Sequence, residues 1–162
     1  LNKGFWILAF LLSVSSVFGI VLSNEAIKLL FERGSFNVND TVVTAQVLSM
    51  YLIGLVPFGL AKLFSLWLFA YQEQKRAAKI SAISLLINII FSFLLFKPYG
   101  VVGLALAGSI GGWVLLVLTI YAFGIKRFLD IIISLKLALL VAILIIELFV
   151  LLYFKDIINV YL

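Results

Sequence analysis

Long runs of apolar residues constrain this chain more than any other feature of its sequence. A helix needs about 20 apolar residues to cross the hydrocarbon core of a bilayer. The sequence supplies such runs at residues 4–22, 42–71, 80–96, 101–123 and 135–154. Hydrophobic residues make up 65% of the chain and charged residues 12%, which is more apolar surface than a soluble domain of this size can bury. Because backbone groups in hydrocarbon must hydrogen-bond internally, we predict an all-α integral membrane protein, a five-helix transmembrane bundle.

The positive charges flank these runs unevenly, which predicts the orientation. One side carries Lys3, Lys75, Arg76, Lys79, Lys126, Arg127 and Lys136. The other side carries only Lys28, Arg33, Lys97 and Lys155. By the positive-inside rule the first side is cytoplasmic. The net charge of +5 therefore bears on topology rather than on nucleic acid, and no nucleic-acid partner is expected. The chain starts without Met, and we expect it to be a piece of a larger protein.

The connector at residues 23–41 then faces outward. Its apolar spacing predicts an amphipathic helix at the interface, with Ser23 or Asn24 as N-cap and Gly34 at the C-terminal end. Asn39 or Asp40 is predicted to cap the following span.

Ionisable and polar groups inside a span are candidates for function. Lys62 lies about 13 Å from the inner end of the second run, so we expect it to face a polar cavity or a carboxylate. Asn88 shares one helix face with Ser84 and Ser92, and it is a candidate substrate contact. Glu147, in the fifth run, is expected to be protonated. Whether Lys62 and Glu147 interact stays open.

Two further features concern the backbone. Pro57 lies inside the second run beside Gly54 and Gly59, and it is a candidate hinge because it removes a backbone hydrogen bond. Small residues in the fourth run, including the pair Gly108 and Gly112, predict close packing of helices.

The sequence offers little for catalysis. It contains no Cys and no His, which excludes thiol chemistry, zinc sites built on these residues and a Ser-His-Asp triad. No phosphate-binding loop, paired carboxylates or metal-ligand cluster is visible. We expect neither an enzyme nor a metal or other cofactor.

Several motifs, in order along the chain, resemble one family. Residues 29–36 read LLFERGSF and are similar to the LLFERGAF segment of the MurJ/MviN lipid II flippases. Residues 103–109 read GLALAGS, against GLALATS in that family. Other matching positions are Asp40, Thr41, Tyr51, Lys62, Ala70, Asn88 and Trp113. The sequence departs from the family pattern at Val14, Phe69, Ala77 and Ser92.

The resemblance implies a place in a larger molecule. Family members have fourteen spans in two lobes, within the superfamily of multidrug, oligosaccharidyl-lipid and polysaccharide exporters, and this chain would supply spans nine to thirteen, part of the second lobe. Its partners would be membrane lipid, the lipid-linked peptidoglycan precursor and the remaining N-terminal lobe of the same protein. The cavity arginines of the family lie on spans outside this stretch. The family's last two spans form a groove for the lipid tail, and Glu147 would lie near it.

The function implied by the resemblance is translocation of an undecaprenyl-linked peptidoglycan precursor across the bacterial inner membrane by alternating access. Two alternatives stay open at this stage. One is an exporter of another polyprenyl-linked oligosaccharide, and the other is a non-transporting membrane scaffold or anchor.

Overall fold

Most of the chain that the structure describes is helical, with short connectors between the helices. The computed structural model describes the backbone of residues 2–161 and the side chains of residues 2–157. The helices are α1 (Asn2–Val21), α2 (Ser23–Phe31), α3 (Val38–Ile53), α4 (Leu55–Ala70), α5 (Gln74–Phe123), α6 (Ile125–Ile132) and α7 (Leu135–Tyr161). By length and composition, four helical stretches could cross a membrane: Asn2–Val21, Val38–Ala70, Gln74–Phe123 and Leu135–Ile157. The predicted all-α membrane fold is confirmed.

The longest of these stretches, α5, is a hairpin. Its 50 residues would span about 75 Å as one straight helix, more than twice the thickness of a bilayer core. Gly100 interrupts it with φ 56° and ψ −134°, a conformation that favours glycine. The Ser84 hydroxyl donates to the carbonyl of Gly111 at 2.7 Å, which brings the two arms of α5 side by side. We call residues 74–99 the first arm and residues 101–123 the second arm.

With the hairpin resolved into two arms, the helices supply one apolar segment for each of the predicted runs. The predicted boundaries of the spans within the bilayer stay a prediction.

The second predicted run is divided between two helices. α3 ends at Ile53, α4 begins at Leu55, and Gly54 forms the junction between them. The prediction that Asn39 or Asp40 caps α3 is wrong, because Asn37 is the N-cap. The Asn37 side chain accepts hydrogen bonds from the backbone N–H groups of Asn39 and Asp40, and the Asp40 carboxylate accepts one from the Asn37 N–H. This reciprocal capping box starts the helix earlier than the apolar pattern does.

The connector contains the predicted short helix, α2, but not the predicted caps. α2 follows α1 almost directly, with Leu22 at the N-cap position and no side-chain cap. The Ser23 hydroxyl instead donates back to the carbonyl of Ile20 at 3.1 Å. Gly34 adopts a positive φ of 65°, but it lies beyond the C-cap residue Glu32. The placement of this connector on the outer side of the membrane stays a prediction.

An aromatic core joins the ends of four elements on the predicted cytoplasmic side. Phe64 of α4 is fully buried, and its ring lies 6.0 Å from that of Phe5, 5.0 Å from that of Phe123 and 5.7 Å from that of Phe128. These rings come from α1, the end of α5 and α6. The core therefore packs against the inner half of α4, the helix that carries Lys62.

The small residues of the second arm allow close approach of α4, as predicted. A Cβ atom added to Gly112 would lie 2.7 Å from the ring of Phe58, closer than real contacts allow. At Gly54, an added Cβ would lie 3.0 Å from the Cα atom of Ser109. Main chain therefore meets main chain where α3, α4 and the second arm converge.

α7 lies along α1 and runs in the same direction. Leu140 near the start of α7 packs against the cluster that contains Phe5, while the Lys155 ammonium near its end donates to the carbonyl of Val21 at 2.9 Å. Only 6% of the apolar window of α7 is buried, so most of this helix is open to lipid or to other protein.

Candidate functional site

An open groove runs between α4 and the first arm of α5, and Lys62 lies in its wall. The cavity around Lys62 has a volume of about 350 Å³. Its lining residues are Phe58, Lys62, Ser65, Leu66, Phe69, Ser81 and Leu115. The exposed Lys62 side chain therefore opens onto a groove that also presents two hydroxyl groups.

The groove continues along the first arm through two more cavities. The next, of about 190 Å³, shares Phe58, Ser81 and Leu115 with the first and adds Ser84 and Asn88. A third cavity, of about 440 Å³, shares Asn88 with the second. It adds Ser92 together with apolar residues of both arms.

We call the polar residues of these cavities the polar track: Lys62, Ser65, Ser81, Ser84, Asn88 and Ser92. From Ser81 to Ser92 the first arm rises about 16 Å, roughly half of a bilayer core.

The members of the polar track differ in how far they are already hydrogen-bonded. Ser84 is buried, and its hydroxyl donates to Gly111. The Asn88 side-chain oxygen accepts from the Ser92 hydroxyl at 3.2 Å. The amide NH₂ of Asn88 has no partner among residues 2–157. Lys62 likewise forms no hydrogen bond or ion pair within that part of the chain. In the described part of the chain, the groove thus presents one free cation and free amide donors.

The structure places Glu147 apart from this groove. In α7 the least exposed residues recur at helical spacing, and they include Leu144, Glu147, Leu151 and Lys155. This stripe lies against α1, as the contact of Lys155 with Val21 indicates. One Glu147 carboxyl oxygen is buried and has no hydrogen-bond partner in the described part of the chain. Within the same limits, no ion pair joins Glu147 to Lys62. The predicted roles of both residues stay predictions.

Pro57, the predicted hinge, is fully buried in the first turn of α4. The helix is interrupted at Gly54, three residues before it. A proline in the first turn of a helix is well tolerated, because the N–H group that it lacks has no partner within the helix there. Its role as a hinge stays a prediction.

One partly buried ion pair has no signature in the sequence. The Lys155 ammonium lies 3.4 Å from a carboxylate oxygen of Glu25, at the junction of α1 and α2. Neither residue lines the cavities of the polar track. No sequence pattern links them, because the helices that carry them meet only through the packing of α7 on α1.

The fold and the groove together define a class. This is a helical, multi-pass membrane protein in which an open groove presents a cation and a line of hydroxyl and amide groups. The family model for the lipid II flippase MurJ matches residues 1–162, the whole chain, and the chain belongs to that family.

Individual relatives agree with this membership. The chain is 52% identical over 157 residues to a probable lipid II flippase MurJ of Helicobacter pylori strain J99, and equally so to that of H. pylori strain 26695. These alignments cover 96% of this chain and 34% of each relative, so the chain spans about a third of their length. A solved structure of a lipid II flippase MurJ in an inward closed conformation matches with a TM-score of 0.70 and 26% identity. That match covers 97% of this chain and 39% of the solved one.

Proposed function

We propose that this chain forms part of a lipid II flippase and that the polar track lines the path of the lipid's polar head group. The observation that carries the proposal is the unpaired Lys62 ammonium at one end of the groove. A charge inside a membrane span is costly, and such charges normally pair with one another or line a water-filled pathway. Lys62 has no partner among the described side chains, so its counter-charge must come from another part of the protein or from the substrate.

The chemistry of the substrate fits this need. A lipid-linked peptidoglycan precursor carries a pyrophosphate and a sugar head group, neither of which can cross hydrocarbon unaided because of the cost of desolvation. An ammonium group binds phosphate as a point charge. The Asn88 amide and the hydroxyls of Ser81 and Ser92 can bind sugar hydroxyls and amides through neutral hydrogen bonds.

The proposed role extends to the whole protein. We place it in the bacterial inner membrane, where it would act in cell-wall synthesis by alternating access. The remaining N-terminal lobe would form the opposite wall of the path. Membership of a flippase family supports a transporter rather than an enzyme.

The test is the change Lys62→Met in the full-length protein. Methionine keeps the length and apolar stem of lysine and removes the charge. A hydrogen bond to a charged group contributes roughly 1.5–3 kcal/mol, so we expect translocation of lipid II into vesicles to fall roughly 10- to 100-fold. Lys62→Arg, which keeps the charge, should retain most of the activity.

Lys75→Met serves as the matched control, because Lys75 is exposed in the first turn of α5 and lies outside the groove. Full transport by Lys62→Met, in protein that is folded and inserted normally, would refute the role of Lys62.

A further inference from the structure

The junction between α3 and α4 lacks the regular hydrogen bonds of a helix. The N–H group of Gly54 donates to the carbonyl of Tyr51 at 3.0 Å, three residues back instead of four. Pro57 has no N–H group with which to reach the carbonyl of Ile53. Inside hydrocarbon, carbonyl groups freed in this way need other donors.

Hydroxyl groups from two other helices donate to carbonyl groups next to this junction, including that of Met50, which the Gly54 N–H group would reach in a regular helix. The Ser16 hydroxyl of α1 donates to the carbonyl of Leu52 at 2.7 Å. The Ser109 hydroxyl, from the second arm of α5, donates to the carbonyl of Met50. Ser16 is 7% exposed and Ser109 is 1% exposed, so neither hydroxyl could turn to water instead.

The main chains also pack very closely at the junction. A Cβ atom on Gly54 would lie 2.7 Å from the Ser109 hydroxyl oxygen and 3.0 Å from its Cα atom. The second of these neighbours is main chain and cannot move aside. The junction is thus held by contacts with both α1 and the second arm of α5.

We propose that Ser16 and Ser109 are positioning residues, which hold the α3–α4 junction as a fixed bend and so aim α4 to place Lys62 on the polar track. The inference rests on the proposed function of Lys62. Lys62 lies eight residues beyond Gly54, about 12 Å along the helix axis. A rotation of α4 by about 10° at the junction would therefore move Lys62 by about 2 Å, well beyond the roughly 0.5 Å that a working site tolerates.

The test uses the full-length protein with Ser16→Ala, Ser109→Ala and the double change. The first measurement is hydrogen exchange at residues 50–58. Each lost hydroxyl should speed exchange there roughly two- to tenfold, the effect of one ordinary hydrogen bond, and should leave the arms of α5 unchanged. Ser15→Ala is the matched control, because Ser15 is a neighbouring but exposed serine of α1. It should change neither hydrogen exchange at residues 50–58 nor the reactivity of Lys62→Cys toward a thiol reagent.

The second measurement reports the position of residue 62 itself. Lys62→Cys is introduced alone and together with each serine change, and its rate of modification by a water-soluble thiol reagent is compared. A loss of stability alone would lower the melting temperature and leave this modification rate unchanged. A rotation of α4 that moves residue 62 out of the groove should lower the modification rate. If Ser109→Ala does not fold, Ser16→Ala decides the question by itself.

Unchanged exchange and an unchanged modification rate in the folded serine variants would overturn the inference and would leave the role of Lys62 intact. Conversely, full transport by Lys62→Met would remove the role of Lys62, and the exchange result at the junction would still stand. The two failures are therefore distinguishable.

Discussion

The ion pair between Glu25 and Lys155 should hold α7 to the rest of the bundle. The two side chains lie 3.4 Å apart, and the Glu25 side chain is only 11% exposed. Lys155 also donates to the carbonyl of Val21, the last residue of α1. The positive charge thus sits at a helix C-terminus and the negative charge in the first turn of α2, which is the favourable placement of each relative to the helix dipoles.

The size of the effect follows from this geometry. Two unit charges at 3.4 Å attract by about 5 kcal/mol at an effective dielectric constant of about 20. Desolvation cancels much of this attraction, and the Lys155 side chain is 32% exposed, so solvent screens the pair further. We therefore expect a coupling free energy of about 1–2 kcal/mol. Removing one partner alone should cost about 2–3 kcal/mol, because a partly buried charge is left behind.

A double-mutant cycle measures these quantities. Glu25→Gln, Lys155→Met and the double change are made in the full-length protein, and the free energy of unfolding is followed by titration with SDS in mixed micelles. The double change should cost less than the sum of the two single changes by the coupling free energy. Additive single effects would refute the reasoning, because the pair would then contribute nothing beyond the individual side chains.

Two further predictions concern topology and the second intramembrane charge. Cysteines introduced at Ser35 and Gln74 should be labelled from opposite sides of the membrane, Ser35 from the periplasm, and labelling of both from one side would contradict the orientation derived from the positive charges. Glu147→Gln should leave transport nearly unchanged, because an amide and a neutral carboxyl group are close in shape. A severe loss of transport that is rescued by also changing Lys62 would establish an interaction between Glu147 and Lys62 instead.

The helical architecture could be predicted because the bilayer leaves a chain few choices. Any apolar run of sufficient length must form a helix, whatever its neighbours are. The hairpin tip was also visible as a gap in the apolar pattern, where Lys97, Pro98 and Gly100 separate two runs. The face shared by Asn88 and Ser92 followed from helical spacing, and the structure places both residues in one cavity.

Features that depend on contacts between distant helices could not be predicted in the same way. Pro57 signalled an irregularity, but the break lies at Gly54, beside which Ser16 and Ser109 donate to backbone carbonyl groups. The N-cap of α3 was misplaced because Asn37, Asn39 and Asp40 are all competent caps, and only the three-dimensional arrangement selects among them. Lys62 and Ser81 line one cavity because of the angle at which α4 packs against α5, and no local sequence pattern encodes that angle.

The contrasting surroundings of Lys62 and Glu147 favour separate roles for the two intramembrane charges. Lys62 faces an open groove between α4 and α5, whereas Glu147 lies on the side of α7 that packs against α1. A carboxylic acid can stay neutral in an apolar interface by keeping its proton, and it then needs only ordinary hydrogen bonds. A lysine on an open groove keeps access to water and to an anionic ligand, so its charge remains available for binding. A charged substrate would therefore bind to this part of the protein in the groove rather than at the α1–α7 interface.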